Sequence, residues 1–273
     1  VTGVQTCALP ISRVARGLGI NVTTIFALTF AFGSGLAGLG GALGAAIFSL
    51  EMSREQLVMR MLCSQAKVPS REIAKGIIDT RQHAELVGAA DRLIRAPIYL
   101  DDTAGLDIAQ LRGRARQLRK KHAIEFIIID YLQMLRSHLG RSESRQQEIA
   151  DVSNNIKAMA KELHVPVLVL SQLNRSPETR DRSGKPRLSD LRDSGSIEQD
   201  ADVVGLLRRP CKYEEKDSGV DQALAIVEIA KQRNGPTGEI NLHFDDRITR
   251  FFDAAPAYMA DEHAAAAARE EDA

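Results

Sequence analysis

The chain has no tryptophan, and aromatic residues make up only 4% of its 273 positions, so its core must be aliphatic. Its three cysteines, Cys7, Cys63 and Cys211, lie far apart with no C-x-x-C pair. That spacing argues against a disulfide framework or a cysteine-based zinc site and fits a reducing cytosol. The histidines are scattered, none at metal-ligand spacing. Net charge is missing as well, because 36 Lys and Arg balance 36 Asp and Glu. Any basic site must therefore be local.

Charge is also missing locally. Between Gly17 and Ser53 the only charged side chain is Glu51, and Asn21 to Leu50 has none at all. Such a run exceeds the roughly 20 residues that a membrane-crossing helix needs. Gly40 with Gly44, and Ala37 with Gly41, have the small-xxx-small spacing that lets membrane helices approach closely. The competing reading is a buried soluble segment, weakened by about 1 kcal/mol for each interior glycine relative to alanine. From Arg54 onward charges are dense. The run "ARGLGINVTTIFALTFAFGSGLAGLGGALGAAI" resembles part of a branched-chain amino acid ABC transporter permease, over residues 13–46. The opening "VTGVQTCALPIS", residues 1–12, resembles translated sequencing-adapter sequence. It lacks the basic start of a signal peptide, and Pro10 interrupts its short apolar stretch. These features predict a foreign hydrophobic helix over 1–46, a working domain over 47–253 and a loose tail over 254–273.

Within 47–253 the pattern alternates. "IFSL" ends a short strand, and Ser53 with Gln56 forms a capping box that opens a helix to about Lys67. Ser70 is read as the cap of a short helix, followed by a longer one from about Arg81 to Arg95. "PIYLDD" reads as a short strand, and Asp107 caps a basic helix. "IEFIIIDYLQ" and "VPVLVLSQ" are continuous apolar runs, as expected of strands covered on both faces. Between them Ile149, Val152, Ile156, Met159 and Leu163 form one helical stripe. Residues 174–200 read as a long basic loop region. "ADVVGLLRR", "QALAIVEIAKQR", "GEINLHF" and "RITRFF" then read as successive strands. The fold class that follows is α/β, with a mainly parallel sheet flanked by helices and antiparallel strands at the C-terminal end.

In such sheets ligands sit at the carboxyl ends of the strands. Glu51 follows "IFSL", Asp130 ends "IEFIIID" and Gln172 ends "VPVLVLSQ". One acid there can hold Mg²⁺ through water, and a second can activate an attacking water. Each alone is more often a solvated strand end; three together point to a site. Lys231 and Arg233 alternate before the Asn234-Gly235 turn. They are either a solvated strand face or a cationic pair offered to a phosphate. "SDLRDSGSIEQDAD" places Arg192 beside Ser194, Gly195 and Ser196. It is either an ordinary surface loop or a phosphate-contacting one.

The words "FSLEMSREQLVMRM", "IIIDYLQM", "VLSQLNR", "LRDSGSIEQDADVV" and "KQRNGPTG" occur in that order. Together they resemble the signature segments of the C-terminal, RecA-like motor domain of the DnaB-type replicative DNA helicases. The resemblance covers about residues 47–253. It implies ATP and Mg²⁺ as cofactors, single-stranded DNA as track, 5′-to-3′ translocation, a homo-hexameric ring, primase and helicase-loader partners, and a cytoplasmic location away from membranes. It further implies Glu51 as the water-activating carboxylate, Asp130 as the acid behind Mg²⁺ and Gln172 as a γ-phosphate sensor. Lys231 and Arg233 would reach a neighbouring subunit's nucleotide, and Arg192, Asp193 and Gly195 would sit on the DNA loop. The family usually has Glu where this chain has Asp193.

A P-loop of the form G-x-x-x-x-G-K-[ST] does not occur in the sequence. Its one Gly-Lys pair, Gly184-Lys185, precedes Pro186. The family carries that loop just upstream of "FSLEM", where this chain has the Gly/Ala-rich run, and the family's N-terminal helical domain has no counterpart there. The expected function is thus an ATP-dependent helicase motor fragment, inactive by itself in hydrolysis. Two other readings stay open: a single-span membrane protein with an ATPase-like cytosolic domain, and a non-catalytic RecA-like helicase-associated protein.

Overall fold

The apolar runs become the centre of a sheet that has nine strands among the described residues. The computed structural model describes residues 2–6, 44–137, 144–173, 185–213 and 221–253. The strands are β1 (Thr2–Thr6), β2 (Ala45–Ser49), β3 (Ile98–Asp101), β4 (Phe126–Asp130), β5 (Val167–Gln172), β6 (Val203–Arg208), β7 (Leu224–Gln232), β8 (Gly238–Asp245) and β9 (Arg250–Asp253). Their order across the sheet is β3-β2-β4-β5-β1-β6-β7-β8-β9. The first four pair in parallel. From β5 onward every pair is antiparallel. The α-helices are α1 (Arg54–Ala66), α2 (Ser70–Lys75), α3 (Thr80–Arg95), α4 (Ile108–His122), α5 (Arg145–Leu163) and α6 (Gly195–Asp200).

Strand periodicity divides the core in two. Ala46, Phe48, Ile127, Ile129, Val167 and Val169 face one way, onto Leu111 and Ala115 of α4 and Ile149, Val152, Ile156 and Met159 of α5. Ala45, Ile47, Ile128, Leu168 and Leu170 face the other way, onto Leu57 and Met61 of α1. A third cluster, including Val203, Val227, Ile229, Leu242 and Phe251, supports the antiparallel half. Burying one such side chain stabilises by about 1.5–3 kcal/mol, which outweighs the weak helix propensities around it.

Helix starts follow local chemistry. Ser53, Asp79, Asp107 and Ser144 each close a full capping box with a glutamine three residues on. Such caps contribute about 1 kcal/mol each. Several boundaries differ from the sequence reading. Ser70 is the first helical residue of α2, and Pro69 holds the N-cap position without a side-chain cap. α3 opens at Thr80 because Asp79 caps it. β4 stops at Asp130, and Leu132–Met134 form a 3₁₀ turn after a cis Asp130–Tyr131 peptide. Part of the stretch read as loop is ordered: Leu188–Ser194 is 3₁₀ helix and Gly195–Asp200 is α6. Apolar Leu191 and Ile197 are buried there, and that anchors the segment. Arg175, Arg180, Arg182 and the tail 254–273 lie outside the described residues.

The amino-terminal boundary also shifts. Thr2–Thr6, inside the adapter-like leader that was expected to join a hydrophobic helix, is a strand between β5 and β6. Ala45 and Ala46 belong to β2, so the sheet begins before Ile47. Most of the uncharged run lies outside the described residues, among which no helix is long and apolar enough to cross a membrane.

Gly44 leads into β2 through a close backbone approach. Its carbonyl accepts from the Glu125 and Phe126 amides at 2.7 and 3.2 Å. A Cβ there would lie 3.2 Å from the Ile124 Cα. Gly44→Val is therefore expected to destabilise by about 1–3 kcal/mol through overpacking against backbone. Urea unfolding measures this, and an unchanged midpoint would contradict the close approach.

Candidate functional site

Parallel pairing of β2 with β4 brings Ser49 level with Asp130. The Leu50 amide then donates to the Asp130 carbonyl at 2.7 Å, extending the ladder one step beyond β2. The Ser49 hydroxyl donates to the Met52 carbonyl at 2.8 Å and accepts from the Met52 amide at 3.3 Å. The capping box at Ser53 follows at once. Exposed Glu51 is thus the apex of a short turn held on both sides.

Asp130 is only 8% exposed. Its carboxyl is pushed up to about 6, first by burial and then by the Glu51 charge, while Arg60 of α1 pulls it down. No ion pair joins Asp130 to a cation among the described residues. Two carboxylates in mutual repulsion, one of them desolvated, form a donor set that favours a cation. Among the described residues there is no cluster of three or more His, Cys, Asp or Glu that could enclose a metal by itself.

Gln172 stands exposed at the end of β5. Its backbone is held by Gln133, a residue to which the sequence reading gave no role. The Gln133 Nε2 donates to the Ser171 Oγ at 3.0 Å and to the Gln172 carbonyl at 3.0 Å, and its Oε1 accepts from the Gln172 amide at 3.2 Å. Gln133 comes three residues after Asp130 in "DYLQM", so one short loop fixes the carboxyl ends of both β4 and β5. Its signal in sequence was a polar side chain directly after a buried strand.

Lys231 and Arg233 come together, but elsewhere. Thr2 pairs with Gln172, whereas Thr6 pairs with both Leu168 and Val203, and Val203 pairs with Gln232. The cation pair therefore lies toward the amino edge of the parallel strands, away from Glu51, Asp130 and Gln172. Lys231 donates to the Glu198 carbonyl and Arg233 to the Gln199 carbonyl at 2.7 Å, both at the end of α6. Burial, followed by the Arg233 charge, holds the Lys231 amine below the usual lysine range. Gly195 is exposed at the opposite end of α6. Arg192 and Asp193 lie in the 3₁₀ segment just before it.

An acid with a folded pKa near 6 and an ordinary value of 3.8 loses stability as pH rises through that window, because the unfolded chain ionises first. Wild type should therefore lose about 1–3 kcal/mol relative to Asp130→Asn between pH 4 and pH 7. Urea unfolding at a series of pH values checks this; a gap independent of pH would refute the burial-driven shift.

The family model of the DnaB-like helicase C-terminal domain matches residues 17–253. The chain is 42% identical over 264 residues to the replicative DNA helicase DnaB of Leifsonia xyli subsp. xyli, covering 94% of this chain and 57% of that one. It is 44% identical over 206 residues to the DnaB of Geobacillus stearothermophilus, covering 76% and 45%. The chain thus spans about half the length of the curated relatives it matches. A solved structure of a DnaB-like replicative helicase and its interactions with primase superposes with a TM-score of 0.77 at 30% identity, over 84% of this chain and 54% of that one. The ATPase domain of G40P gives a TM-score of 0.73 at 30% identity, over 81% and 80%. This likeness supports the fold class, a parallel sheet with flanking helices and antiparallel strands at the C-terminal end. The match from residue 17 takes in most of the Gly/Ala-rich run, and neither the permease-like nor the adapter-like resemblance is supported by these comparisons.

Proposed function

Because the chain belongs to the DnaB-like helicase C-terminal domain family, we propose that it is the motor segment of a replicative DNA helicase, coupling ATP hydrolysis to translocation along single-stranded DNA. The observation that carries this reading is the convergence of Glu51, Asp130 and the Gln133-held Gln172 at the carboxyl edge of three adjacent parallel strands. In this reading Glu51, exposed and pinned, accepts the proton of an attacking water. Asp130 is the acid that would hold Mg²⁺, and Glu51 beside it adds negative charge. Mg²⁺, when bound with nucleotide, would supply neutralisation of phosphate charge. Gln172 offers an amide whose backbone cannot drift, as a phosphate-sensing group requires.

The acidic half of such a site fits Mg²⁺; the phosphate half is not met by a G-x-x-x-x-G-K-[ST] anywhere in the sequence. The Gly/Ala-rich run occupies the stretch where, by the resemblance, the family carries that loop. We therefore read the chain as unable to turn over ATP by itself. In a hexameric ring, Lys231 and Arg233 would serve a neighbour's nucleotide, and their distance from the chain's own acids supports that division. Primase and loader partners and a cytoplasmic setting are proposed by resemblance to the family. The distinct prediction is that DNA-stimulated ATP hydrolysis by the purified chain is at background. Replacing residues 1–46 with a family-like P-loop segment should create turnover that Glu51→Gln and Asp130→Asn each abolish. Turnover in the unaltered chain that Glu51→Gln removes would show that another segment holds the phosphates.

Arg192 is proposed to contact the DNA backbone, from its place in a Ser- and Gly-containing segment before α6. Phosphate contacts carry no base information. Arg192→Ala should weaken binding equally for all sequences and flatten the salt dependence by about 0.7 in the log–log slope. Fluorescence anisotropy over a salt series measures both. A loss confined to one base composition would take Arg192 off the DNA path.

A further inference from the structure

Beside Lys231 and Arg233, the end of α6 carries a further charged pair, Lys157 and Asp202, to which the proposed function gives no role. Asp202, just beyond it, accepts from the Lys157 Nζ at 2.6 Å, and both side chains are largely buried. The Arg233 guanidinium lies 3.6 Å from the same carboxylate, and the Arg233 amide donates to the Asp202 carbonyl at 2.9 Å. Lys231 and Arg233 also bond the last carbonyls of α6, where the helix dipole favours cations. Asp200, two residues earlier, points elsewhere and accepts from the Ser153 hydroxyl at 2.6 Å.

We infer that Asp202 is a positioning residue that holds Arg233, and with it Lys231, docked on the chain's own α6, so that an external phosphate group must displace this internal docking to engage the pair. The inference rests on reading Lys231 and Arg233 as phosphate-binding groups. Its physical basis is an imbalance. Lys157 anchors Asp202 through a short, buried contact, whereas Arg233 is half-exposed and sits at the edge of ion-pair distance. The carboxylate is therefore fixed and the guanidinium is the partner that can leave. Half-exposed pairs of this kind are weak, so the docked state competes with an external anion by a factor of only about three to five.

The test uses the full chain, with two readouts. The first is the acylation rate of Lys231 relative to the other lysines, followed by mass spectrometry to its high-pH plateau, where protonation no longer limits it. The second is the affinity for inorganic tripolyphosphate. Asp202→Asn should raise both by about threefold. Asp200→Asn removes the same charge and should change neither. Asp202→Glu should bring both back toward wild type. Should Asp202→Asn fail to fold, judged by circular dichroism, Lys157→Met with Asp202→Asn leaves no buried charge unpaired and should show the same two increases. Equal effects of Asp202→Asn and Asp200→Asn, or an unchanged Lys231 plateau, overturn the inference. Tripolyphosphate binding that survives loss of both Lys231 and Arg233 overturns the phosphate reading instead, while the acylation result still decides whether Asp202 holds the pair.

Discussion

One backbone constraint organises the candidate site: the parallel register of β2 and β4, which sets Ser49 beside Asp130 and carries one hydrogen bond further, from Leu50 to the Asp130 carbonyl. A parallel ladder has no freedom to slip here, because both strands are buried on both faces. A shift of one residue would send Phe48 and Ile47 to the wrong cores. The same ladder therefore fixes the packing and the distance between two carboxylates. Gln133 adds three side-chain hydrogen bonds that tie the end of β5 to the same loop, on top of the β4–β5 ladder.

Electrostatics divides the sheet's two edges differently. At the carboxyl edge Asp130 and Glu51 repel one another, and no cation pairs with Asp130 among the described residues. At the other edge Lys231 and Arg233 are already met by carbonyls and by Asp202. One edge is prepared to receive positive charge, whereas the other has its own positive charge provisionally occupied. This asymmetry suits a subunit whose anionic and cationic groups act in different interfaces.

Much of this was legible in the sequence. The buried strands read as continuous apolar runs, the stripe on α5 fell at helical spacing, and two of the four capping boxes begin at Ser53 and Asp107, the residues read as caps. The acids and the amide at the strand ends were legible because such ends are where an open α/β sheet binds ligands. What the sequence concealed was long-range or weakly patterned. α6 is six residues in a polar stretch, and its place depends on Ile197 reaching a core formed by distant elements. Gln133 and Asp202 act through partners 39 and 45 positions away in Gln172 and Lys157, which no local pattern reports. β1 carries no strong strand signal; its position comes from two flanking strands that have no other neighbour on those edges among the described residues.

That placement of β1 bears on how the sheet is assembled. β6 to β9 join through successive antiparallel pairings, and β2 to β5 through helical crossovers, so every pairing within a half spans less of the chain than the pairings of β1 do. β1 joins the halves, and its partners β5 and β6 lie far along the chain from it, Thr6 pairing with Leu168 and Val203. Loop closure over such a span is slow compared with hairpin formation. Each half should thus form first with one raw strand edge, β5 on one side and β6 on the other, and the five residues Thr2–Thr6 seal both at once. Until they do, those two inner edges are open to pairing with the wrong partner in addition to the outer edges at β3 and β9.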